Sequence, residues 1–71
     1  MKNYQHNIIH QLSETMDSLW RIGQYMKDAE VDGHPEEVEF WRGFKETLEK
    51  QMVMLKDRLE KIVKEQGLDI S

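Results

Sequence analysis

Two stretches of regularly spaced apolar residues, separated by one short corner, are the feature that most constrains this fold. In each stretch the apolar side chains recur at alternating steps of four and three, which places them on one face of a helix. The first series, with one threonine, comprises Ile8, Leu12, Thr15, Leu19, Ile22, Met26 and Ala29. The second series, interrupted by Lys45, comprises Trp41, Leu48, Met52, Leu55, Leu59 and Ile62. The pattern predicts two long amphipathic helices.

The corner, VDGHPEE at residues 31–37, contains the signals that end one helix and start another. Gly33 suits the left-handed position that follows a helix, and Pro35 suits the first helical turn, where its missing N–H costs nothing. His34 precedes proline, which disfavours helix, so His34 is expected at the N-cap. The glutamates that follow lie at the positive end of the new helix dipole. The corner is therefore interpreted as a turn.

These signals predict an all-α fold, an antiparallel two-helix hairpin that forms a single domain over residues 1–71. The expected bounds are about 3–31 for helix 1, 32–34 for the turn and about 35–66 for helix 2. Gly67 is expected to end the second helix, with Leu68 folding back toward Val63. A loop this short forces the helices to lie antiparallel.

Antiparallel packing implies that facing residues have numbers with a nearly constant total. A total of 67 gives five layers, which are Met26–Trp41, Leu19–Leu48, Thr15–Met52, Leu12–Leu55 and Ile8–Leu59. The layer of Ile22 and Lys45 breaks the pattern. Since Gly23 and Phe44 have the same total, we expect the glycine to make room for the phenylalanine ring.

Apolar side chains also flank both stripes, and a two-helix seam would leave them exposed. These flanking residues, the predicted interface, are Ile9, Met16, Trp20, Phe40, Val53 and Met54. A chain of 71 residues without cysteine cannot use disulfides, and small scaffolds often rely on a partner subunit or a metal. We therefore predict a homodimeric four-helix bundle, and the pattern leaves open a parallel dimer, an antiparallel dimer and a higher oligomer. The alternative is a marginal monomer whose flanks are covered by Lys and Arg stems.

Composition excludes several classes of function. The net charge is −4 with interspersed signs, so no basic stripe follows a nucleic acid backbone. No segment approaches the roughly 20 apolar residues that span a bilayer, and the N-terminal residues lack a signal peptide's apolar run. No serine has the sequence context of an activated nucleophile. We expect a soluble, cytoplasmic protein that is not an enzyme, has no cofactor and binds neither nucleic acid nor membranes.

Two histidines are the candidate metal ligands. His6 and His10 are four residues apart, so both rings lie on one helical face and could chelate zinc or another transition metal. Glu14 and Asp17 lie near that face. Because the face is opposite the apolar stripe, the other interpretation is a polar outer surface. His34, with acids on both sides, could also be a ligand, but the turn already accounts for it.

The stretch YMKDAEVDGHPEEVEFWRGFKETLEKQMVML, under half of the chain, resembles a helix–turn–helix half of the rubrerythrin and ferritin-like families. The shared residues are Ala29, Gly33, Trp41 and Arg42. The resemblance implies helical architecture. The family's Glu-x-x-His metal motif is not preserved, since Glu49 and Gln51 stand there without a histidine. Its carboxylates point inward, whereas Glu30, Glu46 and Glu49 lie off the core stripe here.

Together these observations predict a non-enzymatic helical protein that self-associates through an apolar helical face and could also dock another protein. The alternative prediction is a small metal-binding or ferritin-like accessory protein that uses His6 and His10 or the acids near the turn.

Overall fold

The computed structural model describes residues 2–66 and confirms an all-helical hairpin. Helix α1 spans Asn3–Val31, helix α2 spans Pro35–Glu65, and the two pack against each other. Tyr4, near the start of α1, donates a hydrogen bond to the side-chain oxygen of Gln66, just after α2, so the helices run antiparallel. The molecule measures 50 × 18 × 12 Å, which makes it two helices wide and one helix thick.

The turn has the backbone geometry that its residues predict. Gly33 adopts a positive φ of 74°, the left-handed conformation that glycine tolerates best. The His34 N–H donates to the carbonyl oxygen of Ala29 at 2.9 Å and closes the end of α1. His34 is the N-cap of α2 and Pro35 is its first residue. Helix α2 ends at Glu65, and the expected roles of Gly67 and Leu68 lie outside the described residues.

The core is the seam between the two apolar stripes. Among the described residues, the buried ones, five apolar and two polar, are Ile22, Ala29, Leu48, Met52, Ile62, Gln5 and Thr15. All ten members of the five predicted layers are buried or half-buried. The hydroxyl of Thr15 donates to the carbonyl oxygen of Gln11 at 2.8 Å, so its polar group is satisfied inside the seam.

A polar layer closes the open end of the hairpin, where α1 begins and α2 ends. Gln5 is only 2% exposed, although glutamine is seldom buried. Its amide nitrogen donates to the hydroxyl of Tyr4 at 3.4 Å, and that hydroxyl in turn donates to Gln66. This chain of hydrogen bonds connects the beginning of α1 to the end of α2.

The expected packing of Gly23 against Phe44 is wrong. A Cβ placed on Gly23 would meet no atom within 4 Å, and Phe44 contacts the rings of Trp41 and Phe40 instead. The physical reason lies in the helix repeat. Gly23 follows Ile22 by one residue, which turns it about 100° away from that buried position toward one flank of α1. Phe44 lies on the other flank of the hairpin, where α2 borders Tyr25.

Within residues 2–66, neither helix is both long and apolar enough to cross a membrane.

Candidate interaction faces

An open groove runs between the two helices near the open end. It has a volume of about 670 Å³. Its lining residues, drawn from both helices, are Ile8, Gln11, Thr15, Gln51, Met54, Leu55, Asp57, Arg58 and Lys61. The core residues among them are Ile8, Thr15 and Leu55, and the charged residues lie on α2 toward its C-terminal end. Met54 is 70% exposed, so a large apolar side chain projects beside the groove without an intramolecular cover.

Four aromatic rings cluster at the other end, next to the turn. The Trp41 ring lies 5.1 Å from that of Tyr25, 4.9 Å from that of Phe40 and 5.7 Å from that of Phe44, measured between centroids. Trp41 is half-buried, whereas the other three rings are exposed. Edge and tilted arrangements of this kind are favourable for aromatic pairs. The cluster is therefore a ridge of ordered apolar surface that faces outward.

The groove and the aromatic cluster lie on the same side of the hairpin. Seven residues make almost two full helical turns, so residues seven apart share one side. On α2 this relation connects Phe44 to Gln51 and Arg58. On α1 it connects Gln11 of the groove, through Ser18, to Tyr25 of the cluster. We call this side the groove face; it comprises Tyr4, Gln11, Ser18, Tyr25, Phe40, Phe44, Thr47, Gln51, Met54, Arg58 and Lys61.

A second, narrower apolar strip lies on the opposite side. Ile9 and Met16 stand two residues from Gln11 and Ser18 respectively, which turns them about 200° away around α1. Trp20 is 69% exposed beside them. We call the strip of Ile9, Met16, Trp20 and Val53 the Trp20 face. The neighbouring part of α2 is charged, since Arg42, Glu49 and Lys56 follow each other at seven-residue spacing there.

The six predicted interface residues therefore do not form one patch. Phe40 and Met54 belong to the groove face. Ile9, Met16 and Trp20 belong to the Trp20 face, as does Val53, which stands two residues from Gln51. Five of the six are exposed and Ile9 is half-buried. A flat contact with one partner can cover only one of these two faces.

Charge is distributed unevenly along the length of the hairpin. Residues 18–49, the half next to the turn, contain eight acidic and four basic side chains, a net charge of −4. Residues 2–17 and 50–66, the half at the open end, contain five acidic and six basic side chains, a net charge of +1. At the centre of the groove face α2 contributes the uncharged residues Thr47 and Gln51, and α1 contributes Ser18, whose hydroxyl accepts a hydrogen bond from the Arg21 guanidinium at 3.0 Å.

The candidate metal ligands His6 and His10 lie together on α1. Their ring centroids are 6.0 Å apart, and His10 lies 3.9 Å from a carboxylate oxygen of Glu14. All three side chains are exposed. Within residues 2–66 no group of three or more histidine, cysteine or acidic side chains is arranged to hold a metal ion. The geometry thus offers at most a two-nitrogen chelate open to solvent on this helix.

The turn and the ferritin-like positions contain no assembled site either. His34 is exposed and caps α2 through its backbone only, without a side-chain capping bond. Glu30, Glu46 and Glu49 are exposed, which matches their expected position off the core stripe. Carboxylates in these positions cannot converge between the two helices as a di-iron site requires.

No protein-family model, curated protein or solved structure matches this chain.

Sequence reasoning missed the exposed position of two rings of the aromatic cluster, Tyr25 and Phe44. The apolar stripes do not include Tyr25. Its position follows from a seven-residue spacing, since Tyr4, Gln11, Ser18 and Tyr25 succeed each other at that interval on one side of α1. The constant total of 67 predicts Phe44 in the seam, because its number pairs with that of Gly23. The seven-residue relation of Phe44 to Gln51 was the available signal, since it places both residues beside the α2 stripe.

Proposed function

We propose that this chain is a non-enzymatic structural protein that self-associates as a homodimeric four-helix bundle. The observation that carries the proposal is the surface left open by a hairpin only one helix thick. A stable domain generally buries its apolar faces between two layers of secondary structure. Here α1 and α2 form one layer 12 Å thick, and both of its broad faces carry exposed aromatic, Met or Val side chains.

The available surface is large enough for a stable pair. The broad side of the hairpin, 50 Å by 18 Å, has an area of about 900 Å². A standard protein–protein interface buries about 800 Å² on each partner. Pairing two hairpins over one such side would supply the missing second layer and give the interior of a four-helix bundle. Exposed apolar surface of this extent is typical of interaction sites.

Sedimentation equilibrium over micromolar to high-micromolar protein concentrations tests the proposal directly. The expected result is a species with twice the chain mass of 8.6 kDa at the upper concentrations. A mass that stays at that of a single chain throughout the range would refute self-association. Copurification with a different protein, without any self-association, would instead favour the docking of another protein.

A further inference from the structure

We infer that two copies pair through the groove face in antiparallel orientation, so that each aromatic ridge occupies the other copy's groove. The inference rests on the proposed self-association and assigns its face and direction. Its occupant is a second copy of this chain. Three features of the hairpin support it, namely the residues that α2 contributes to the face, the relief of the face and the distribution of charge along it.

The first feature selects the groove face over the Trp20 face. Interface centres are depleted in charged residues and enriched in aromatic residues and methionine. The groove face has Ser18, Thr47 and Gln51 at its centre, with rings on one side and Met54 on the other. The charged residues that α2 contributes to the groove face, Arg58 and Lys61, lie toward its C-terminal end, whereas on the Trp20 face Arg42, Glu49 and Lys56 run along α2 and would enter the contact. Desolvating those charges without partners would oppose binding.

The second feature, the relief of the groove face, selects the antiparallel direction. The ridge of Tyr25, Phe40 and Phe44 lies near the turn, and the groove lies near the open end. A parallel pair would press ridge against ridge and leave two grooves of about 670 Å³ facing each other. Unfilled apolar space is unfavourable because its lining loses contacts. An antiparallel pair inserts each ridge into a groove.

The third feature is the charge. A parallel pair would place two halves of net charge −4 side by side. An antiparallel pair places each of these against a half of net charge +1. Like charges are disfavoured and opposite charges are favoured within about 10 Å at moderate ionic strength. Charge and relief therefore select the same direction.

The antiparallel arrangement has a natural centre at Gln51. The midpoint of α2, Pro35–Glu65, is residue 50, and Gln51 is the neighbouring residue on the groove face. With the two-fold axis at Gln51, residues equally far from it on α2 meet across the interface. Phe44 and Arg58 are each seven residues away, so the partner's guanidinium would lie over the ring in a cation–π contact. Thr47, four residues before the axis, and the partner's Met54, three residues after it, would lie within about one residue of the same level.

A matched pair of adjacent substitutions tests the face. Met54→Glu and Val53→Glu both replace an exposed apolar residue of α2 with a good helix former, but on opposite sides of the hairpin. We expect Met54→Glu to weaken dimerisation at least tenfold and Val53→Glu to change it less than threefold, measured by sedimentation equilibrium. Far-UV circular dichroism verifies that both variants remain helical. Equal losses, or a loss confined to Val53→Glu, would overturn the assignment of the groove face.

Distances between spin labels test the direction. The chain has no cysteine, so Asp32→Cys places a single label at the turn and Asp17→Cys places a single label at mid-hairpin. In an antiparallel dimer the two labels at position 32 should be separated by roughly the hairpin length of 50 Å. In a parallel dimer they should be under about 25 Å apart, because packed helix axes are about 8–10 Å apart and the labels add their own length.

The control label separates failure of the direction from failure of the dimer. Labels at position 17 should couple between copies in either arrangement, because they lie near the middle of the hairpin. Coupling at position 17 with a short distance at position 32 would overturn the antiparallel direction and leave self-association standing. No coupling at either position at high-micromolar concentration would overturn the proposed function, and the inference with it.

Discussion

Replacing Gly23 with alanine should stabilise the hairpin, because Gly23 lies inside α1 and nothing packs against it. Glycine in a helix interior costs about 1 kcal/mol relative to alanine. The added Cβ would meet no atom within 4 Å, so no steric penalty offsets this gain. We expect the free energy of unfolding to rise by about 1 kcal/mol. The melting temperature should then rise by about 4–8 °C, the shift typical of a domain of this size.

Two other glycines provide matched controls. Gly43 lies inside α2 and also has nothing within 4 Å of an added Cβ, so Gly43→Ala should give a similar gain. Gly33 adopts a φ of +74°, which an alanine tolerates poorly. Gly33→Ala should therefore lower the free energy of unfolding by about 1–2 kcal/mol. Thermal and urea unfolding followed by circular dichroism measures all three variants at one fixed protein concentration, since association adds to apparent stability.

Comparing the stability changes of Gly23→Ala and Gly43→Ala can refute the prediction. If Gly43→Ala stabilises the protein and Gly23→Ala destabilises it, some group packs against α1 at Gly23. Because Gly23 shares its side of α1 with Met16, that group would be a partner bound on the Trp20 face. Such a result would contradict both the open surroundings of Gly23 and the assignment of the groove face as the dimer contact.

Three further predictions concern the core, the histidines and the dimer. Ile22→Ala should lower the free energy of unfolding by about 2–4 kcal/mol because Ile22 is buried, whereas Val63→Ala, at an exposed position, should lower it by under about 1 kcal/mol. Urea unfolding measures both variants, and equal losses would contradict the assignment of Ile22 to the core. Equimolar zinc should raise the melting temperature little, because His6 and His10 lack a third ligand among the described residues. A rise of many degrees that the His10→Gln substitution abolishes would instead establish a metal site. Added sodium chloride should modestly raise the dissociation constant of the antiparallel dimer, measured by sedimentation equilibrium. A dissociation constant that falls with added salt would indicate that the two acidic halves lie together.

The hairpin itself could be predicted from the sequence because each of its determinants is local. The stripes follow from the helix repeat, and the turn follows from the conformational preferences of Gly33 and Pro35. The facing layers follow from the short turn, which leaves little freedom in register. Thr15 fits the same rule, since its hydroxyl bonds to a carbonyl one turn earlier in its own helix.

The same reasoning could not separate the two faces. The total of two residue numbers tells how far along the hairpin the residues lie, but it does not tell which broad face they are on. Gly23 and Phe44 have the same height as an ordinary layer but stand on opposite flanks. The burial of Gln5 was missed for a different reason. A pattern built from apolar residues omits a glutamine, although Gln5 continues the stripe seven residues before Leu12. Its burial depends on Tyr4 and Gln66, which meet only when the hairpin closes.

The two faces also have different consequences for assembly. A two-fold pair buries one face of each hairpin and leaves the opposite face of each copy exposed on the outer sides of the bundle. If the groove face is buried in the dimer, the Trp20 face stays exposed, with Met16 and Trp20 beside the charged part of α2. A strip this narrow, bordered by charges of both signs, suits a smaller contact than the bundle interior. The docking of a different protein, if it occurs, is therefore expected on the Trp20 face, and substitutions there should affect that docking while leaving the dimer intact.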